Sequence, residues 1–592
     1  MDSHIARTAP YSQWLIIRLL ALLISAISSS IFAAAPPASN LIELEQVIDR
    51  AAPQSSSSDY LKRLLDDPAN QELRWVTANP AVITEAAQNI SFAVSEQKTK
   101  TFHLRSFKNS IDGMVVWIGD TPSDRKTRFP GSNEVDFDPF NNAIIVRDGD
   151  KLSGTFMVDG QPYKLAFIED GRHALIKIDE TKLAPEGEPL PGQEESADVS
   201  ITPAADLSIR HIRVLMVTTR QSRASRPTIR ADIVNAIEAA NLATYNSGVL
   251  IQFQLAGIYD AAYDEEGDSN VLLSNLRNVQ TDLGKAVADN RNLYLADLVS
   301  MVMTSPEVCG RAYLNATKAS AYSVISCTSS LAHEMGHNLG ADHNREGFSG
   351  MDSPPYMFGY RHEAEPKFRT KMSAQCRTGS CPRIAFFSTP YRSYEGIPMG
   401  TVEHNNVARR LNERRGVVDD FYPGNHKGYK PFLNRFMLDA HLSLCLQTNS
   451  ADSSVAMGPC SAAGTDADQN SMREWKAVSS DGTYWNIRNH FIDSRSTEDQ
   501  CLMTTRKLDA VGKVMMGACS PAAGEYVSQR QWTLESVGNG LYELKNKYSH
   551  DAHNGECLRT FAENKTVLLD NCRPNGKADY NSMRRWNWEM FQ

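Results

Sequence analysis

The stretch LAHEMGHNLGADHNREG, residues 331–347, limits the folds open to this chain more than any other feature. His333 and His337 stand four residues apart. On a helix that spacing puts both imidazoles on one face, a turn apart, so both can reach a single ion. Two neutral imidazoles with positions left open suit Zn2+. His343 lies six residues beyond His337, and on a continued helix it would point well away from that face. It can join the pair only if the chain turns. Gly340 stands where the turn is needed, and glycine ends helices in the left-handed conformation. Three nitrogens leave a fourth tetrahedral position for water, the arrangement of a catalytic zinc with one ion. Glu334 sits next to a ligand and is placed to take a proton from that water and pass it to a leaving amine. The chemistry implied is peptide-bond hydrolysis, with protein or peptide substrates. The bland alternative, a solvated helix with scattered histidines, would need five fixed positions to arise by accident.

A chain of 592 residues exceeds one core, since single cores stop growing at roughly 250–300 residues. Its net charge of −9 gives no sign of the basic stripe that a nucleic-acid partner would need. Near the start, Arg7 and Arg18 precede the apolar run LLALLISAI (19–27), and small residues and prolines follow. That is the order of a secretory signal, and the run is too short for the ~20 residues that span a bilayer. The mature form is therefore expected to be secreted and extracellular, with no membrane span. Ten cysteines, an even number, suit an oxidising compartment. None precedes Cys309, so no N-terminal thiolate can cap a metal, and any latency must come from a carboxylate or from steric blockage.

Composition breaks divide the chain. Residues 36–58 are rich in Pro, Ala and Ser. Residues 183–205, rich in Pro, Glu and Ser, read as an exposed linker, and YPGNHKGYKP (422–431) reads as a shorter one. Between the first two breaks, short apolar runs alternate with turn signals such as DGD and VDGQ, which reads as hairpins. The position suits a propeptide; a permanent accessory β domain is the alternative. Residues 212–219, 249–259 and 296–304 read as strands, and 228–248 and 270–289 as helices. Strand–helix alternation of this kind argues for a mostly parallel sheet.

HExxHxxGxxH is the metzincin signature. Residues 209–423 resemble the reprolysin (adamalysin) type, most closely the bacterial peptidyl-Asp metalloendopeptidases, with CGRAYLNA (309–316), AYSVISC (321–327), FGYRH (358–362), RIAFFSTP (383–390) and NNVARRLNERR (405–415) in support. The resemblance implies a mixed five-stranded sheet with a zinc-binding active-site helix. It also implies a methionine turn beneath the ligands, where Met372 fits. CGRAYL would lie near the edge strand that pairs with an extended substrate. Cleavage near acidic residues is implied too, although no basic pocket residue can be named from the sequence. Two positions depart from the family pattern: Asn344 stands where Asp is usual after the third histidine, and Ser373 where Ala usually follows the methionine.

From about 430 the chain repeats. CLQTNSADSSVAMGPC (445–460), CLMTTRKLDAVGKVMMGAC (501–519) and CLRTFAENKTVLLDNC (557–572) share a pattern, and Trp475, Trp532 and Trp586 end the units. Three such repeats mean a symmetric unit that cannot bury its face alone. They resemble the ricin B-chain-like β-trefoil, with Arg473, Arg530 and Arg584 in place of the usual glutamine of its Q-x-W box. The resemblance implies disulfides within repeats (Cys445–Cys460, Cys501–Cys519, Cys557–Cys572), leaving Cys309, Cys327, Cys376 and Cys381 to pair as Cys309–Cys327 and Cys376–Cys381. Glycans or cell surfaces are candidate partners of this module; a different surface or a spacer role is the alternative, and the tryptophans read as core rather than ligand platform.

The expectation is thus a multidomain chain: signal peptide 1–35, β-rich propeptide with its linker 36–205, α/β metzincin protease 206–423, linker 424–430 and an all-β trefoil 431–592. It reads as a zinc metalloendopeptidase made as a zymogen. A toxin or virulence protease targeted by its trefoil, and a catalytically idle binding protein, are the rival readings.

Overall fold

The computed structural model describes residues 39–50, 58–192, 209–346 and 354–422, and most of 430–587 in shorter stretches. The signal segment expected at 1–35, the second half of the linker (193–205) and residues 424–429 lie outside the described residues. Among the described residues, no helix is long and apolar enough to cross a membrane.

Strands between Ser39 and Ile178 form one ten-stranded, almost wholly antiparallel sheet. Alternation builds it: in Asn89–Ser95 the side chains of Ile90, Phe92 and Val94 are buried while their neighbours are less so. Two of its hairpins close through Asp159-Gly160 and Asp170-Gly171, with both residues of each turn at positive φ. Two-residue turns of that hand match the twist of the flanking strands.

The central sheet runs in the order Leu190–Pro191, Gly310–Leu314, Tyr322–Ile325, Leu298–Val302, Arg210–Thr218, Ile251–Asp260. Only Gly310–Leu314 and Tyr322–Ile325 pair antiparallel; the other pairs are parallel. The sequence implied five strands here, and the structure has six. The extra strand comes from the stretch expected to be an exposed linker. An edge strand offers unpaired N–H and C=O groups, and residues 187–192 meet them: Gly187 N–H donates to Gly310 O (2.9 Å) and Gly192 N–H to Leu314 O (3.1 Å). Proline and glutamate made this segment look solvated, but its contacts are main-chain bonds and paired carboxylates, which composition does not display. The expected helix over 270–289 is two helices, Ser269–Arg277 and Asp282–Leu293, because Asp268 and Thr281 each cap a new start with a side-chain oxygen.

Helix Ile229–Ser247 ends at Gly248 with φ 71° and lies between the two sheets. Ile233, Ile237 and Ala240 pack on the central sheet, while Ala231, Val234 and Leu242 pack against Val116, Ile144 and Val146 of the N-terminal sheet. Polar pairs pin the second face. Asp232 accepts from Ser153 Oγ (2.6 Å) and pairs with Lys164 Nζ (2.9 Å). Asn235 donates to Ile144 O (3.0 Å) and accepts from Thr155 Oγ1 (2.9 Å).

The C-terminal repeats share one construction. Trp475, Trp532 and Trp586 are fully buried, and their Nε1–H groups donate to Leu446 O, Leu502 O and Leu558 O at 2.8, 2.8 and 2.9 Å. A buried indole needs such an acceptor, so these rings are core, in line with the sequence reading. Arg473, Arg530 and Arg584 are buried as well, and the last two donate to Ala518 O and Asn571 O. Disulfides join Cys309–Cys327, Cys376–Cys381, Cys501–Cys519 and Cys557–Cys572. Cys445 is also disulfide-bonded, and Cys460 lies outside the described residues.

Candidate active site

Helix Leu331–Asn338 carries His333, Glu334 and His337 and is buried along its whole length. It stops where the sequence demands. Gly340 has φ 84°, and a Cβ there would meet Arg410 Nε at 2.7 Å and Asn315 Oδ1 at 3.0 Å. The turn delivers His343. The three Nε2 atoms stand 2.9, 3.0 and 3.1 Å apart, close to the spacing demanded by ligands at ~2.0–2.1 Å around tetrahedral zinc. His333 Nδ1 lies 2.8 Å from Lys371 O and His337 Nδ1 2.8 Å from Ala341 O. Those carbonyls take the Nδ1 protons and leave the Nε2 lone pairs free. Burial pushes both imidazoles well below the usual histidine range, so they are neutral, as ligands must be.

Beneath the helix, Met372 is fully buried. A Cβ on Gly336 would come within 2.5 Å of its sulfur. A glycine inside a helix needs a packing reason, and here it admits the methionine. The two departures from the family pattern prove to be partners: Asn344 Nδ2 lies 3.1 Å from Ser373 Oγ, and Asn344 Oδ1 accepts from Ala374 N–H at 2.8 Å. They tie the third-ligand loop to the turn that holds Met372.

Glu334 is fully buried, and neither of its carboxylate oxygens meets a hydrogen-bond donor among the described residues. Burial first, and then the nearby Glu186 carboxylate, push its carboxyl well above the usual range. A buried orphan carboxylate beside three convergent imidazoles fits a metal site with a base at its rim. Gly310 makes the room, because a Cβ there would overlap Glu334 Oε1.

The opposite wall of the cleft belongs to residues 180–192. Glu186 accepts from Ser330 Oγ (2.8 Å) and pairs with Arg383 (2.7 Å). Its carboxylate lies within 4.8 Å of the nearest ligand atoms of His333 and Glu334. Glu188 Oε1 stands 3.8 Å from His343 Nδ1. Glu180 pairs with Arg369 (3.2 Å) and accepts from Arg383 N–H (3.1 Å). Between this segment and the histidines lies a cavity of about 470 Å³.

Every residue proposed from the sequence for the centre, namely His333, Glu334, His337, Gly340, His343 and Met372, is brought to it. Sequence reasoning missed Gly310, Gly336, Glu186 and Arg383. The glycines carried a readable signal, one in the stretch CGRAYL that the resemblance places near the edge strand and one inside the expected helix. The two charged residues carried none, because they meet across 197 positions of chain.

The reprolysin-like family M12B metallopeptidase model matches residues 230–344, from the central helix to the residue after the third histidine. A peptidyl-Asp metalloendopeptidase of Stenotrophomonas maltophilia is 30% identical over 410 residues, 66% of this chain and 95% of that protein. A second, from Xanthomonas campestris pv. campestris, is 28% identical over 392 residues, 63% of this chain and 91% of its own. The likeness extends far past the histidine motif and through nearly all of a relative's length: the chain belongs to the peptidyl-Asp metalloendopeptidase family, within the reprolysin-like M12B metallopeptidases, and is a zinc metalloendopeptidase.

Proposed function

We propose that the chain is a secreted precursor whose protease region, 206–423, cuts polypeptides at aspartyl peptide bonds, as the names of its relatives say of them. In this reading His333, His337 and His343 hold the ion. The convergence of their Nε2 atoms beside the orphaned Glu334 is the observation that carries it. Bound zinc supplies a Lewis acid that polarises a carbonyl and brings water's pKa down to about 7. Glu334 accepts the proton of the attacking water on its carboxylate and delivers it to the departing amide nitrogen. Gly310 keeps that carboxylate close to the edge strand, along which an extended substrate can pair its main chain. Met372 and the Asn344–Ser373 contact fix the ligand loop from below.

Residues 36–205 act as the propeptide. Supporting this, residues 187–192 occupy the edge strand, and Glu186 and Glu188 flank the histidines. The C-terminal module is a β-trefoil that attaches the enzyme to glycans or a surface. Its support is the triplicated tryptophan bond and the repeat of disulfides. Mass spectrometry of a denatured protein digested by the purified enzyme tests the reading. Cleavage clustered at aspartate, abolished by a chelator and restored by zinc, is expected; cuts scattered without regard to aspartate would overturn the specificity.

A further inference from the structure

Three basic side chains, Arg369, Lys371 and Arg383, gather behind the histidines. Arg383 is only 10% exposed at its side chain and Arg369 3%. Arg369 and Arg383 line the cavity beside His333 and His343, and Lys371 and Arg383 line a second cavity together. Burying such charges is costly unless they are paired. The carboxylates paired with the two arginines, Glu180 and Glu186, both come from the segment that precedes the protease region. Of the two, Glu186 is the one at the reaction centre. Its oxygens lie within reach of His333 and Glu334, and its Oε2 is buried with no donor of its own.

We infer that Arg383 is the residue that selects an acidic substrate side chain beside the scissile bond, and that Glu186 occupies its place in the precursor. This rests on the aspartyl specificity proposed above. Once residues 180–192 leave, Arg383 keeps its position, because its backbone is tied to Arg369 through the Arg369 N–H to Pro382 O (3.0 Å) and Ile384 N–H to Arg369 O (3.0 Å) bonds. What it loses is its anion. A peptide carboxylate two or three bonds from its main chain, held on the neighbouring edge strand, reaches the same guanidinium and the same Ser330 hydroxyl. The planar fork of an arginine fits a carboxylate in two-point contact. A neutral isostere such as asparagine leaves the buried guanidinium without a counter-charge, and sites of this kind reject such analogues strongly.

The full-length chain, expressed with its own processing, provides the test. Matched peptides differing only by Asp or Asn at one position give the ratio of kcat/KM values. The wild-type ratio is expected to favour Asp, and Arg383→Met to lower it by roughly 100-fold, with Arg383→Lys recovering much of it. An Arg383→Met enzyme that keeps the wild-type ratio would overturn the assignment while leaving aspartyl specificity standing. A wild-type enzyme indifferent to Asp and Asn would overturn both. Should Arg383→Met fail to fold, a second measurement needs only wild-type enzyme. A synthetic peptide of residues 180–192 is expected to compete with substrate, and its Glu186→Gln version to compete at least ~10-fold more weakly, the size expected for a charge-assisted bond. Equal inhibition by the two peptides would overturn the proposal.

Discussion

The two sides of the cleft are built by opposite means. The metal-binding side comes from eleven consecutive positions, 333 to 343, folded by one helix and one glycine turn. The facing side comes from pairs 189 to 203 residues apart, Glu180 with Arg369 and Arg383 and Glu186 with Arg383. Reacting groups must be held to within fractions of an ångström, and short chain spacing does that with few degrees of freedom. Recognition groups need not be covalently near one another. In the proposed reading Arg383 stays in place, and the Glu186 carboxylate facing it belongs to a segment that substrate replaces. If Glu334 carries the chemistry and Arg383 the selection, the two are separable in this fold, and each should break without the other.

The largest effect is expected on the metal-binding side. Glu334→Gln should keep one zinc per chain, since no ligand is changed, and lower peptide hydrolysis by about 1,000-fold, within the range of a lost general base. Metal analysis together with kcat on a small peptide measures both. A variant retaining a tenth of the activity would sink the base assignment and with it the idea that this side alone carries the chemistry.

The next effect concerns how the N-terminal sheet is held. Lys164 and Asp232 form a buried pair between that sheet and the central helix, with side chains 18% and 2% exposed. Lys164→Met removes the ammonium paired with the buried Asp232, leaving only the Arg226 charge nearby, and should lower unfolding stability by about 3 kcal/mol. Adding Asp232→Leu should restore much of it, because an apolar pair of similar volume is tolerated there. Denaturant unfolding of the two variants decides, and a double variant no better than the single would refute the pair's role. The pH dependence follows from the same contact. The nearby Lys164 and Arg226 charges overcome burial and hold the Asp232 carboxyl below its ordinary 3.8. Its contribution is therefore present above 3.8 and is lost as pH falls through the depressed value. Asp232 likewise overcomes burial and raises the Lys164 ammonium above 10.5. That contribution is full below 10.5 and fades only as pH rises through the raised value. Between these limits the contact should not vary with pH.

What could be read in advance follows the same division. His333, Glu334, His337, Gly340 and His343 were legible because their spacing is their geometry. The helix at 228–248 was legible as a helix, but its second buried face was not. Asp232 and Asn235 look like solvent-facing residues until strands whose contacting residues lie 79 and 91 positions earlier cover them. Residues 183–192 were misread because Pro and Glu usually mark solvated chain, and only the open edge at Gly310–Leu314 shows why they dock. Arg383 sits in RIAFFSTP, a stretch recognised for its family likeness, yet nothing local distinguishes it from an ordinary surface arginine.

Asn344 and Ser373 offer the smallest and sharpest test, because each looked alone like a departure from the family. Ser373 is fully buried, so its hydroxyl needs a partner, and Asn344 supplies both a donor and an acceptor within 3.2 Å. Asn344 also takes the Ala374 N–H, which a replacement at 373 would leave in place. Ser373→Ala should therefore cost less than Asn344→Ala, and the two should not add. A double-mutant cycle on unfolding free energy is expected to give a coupling of about 1 kcal/mol, the net worth of one part-buried hydrogen bond. The same coupling should appear in zinc affinity, since the contact clamps the backbone directly after His343, the only ligand outside the helix. Strict additivity in stability would refute the energetic coupling of the two side chains. Coupling in stability without any in zinc affinity would mean that the clamp holds the loop but not the ligand.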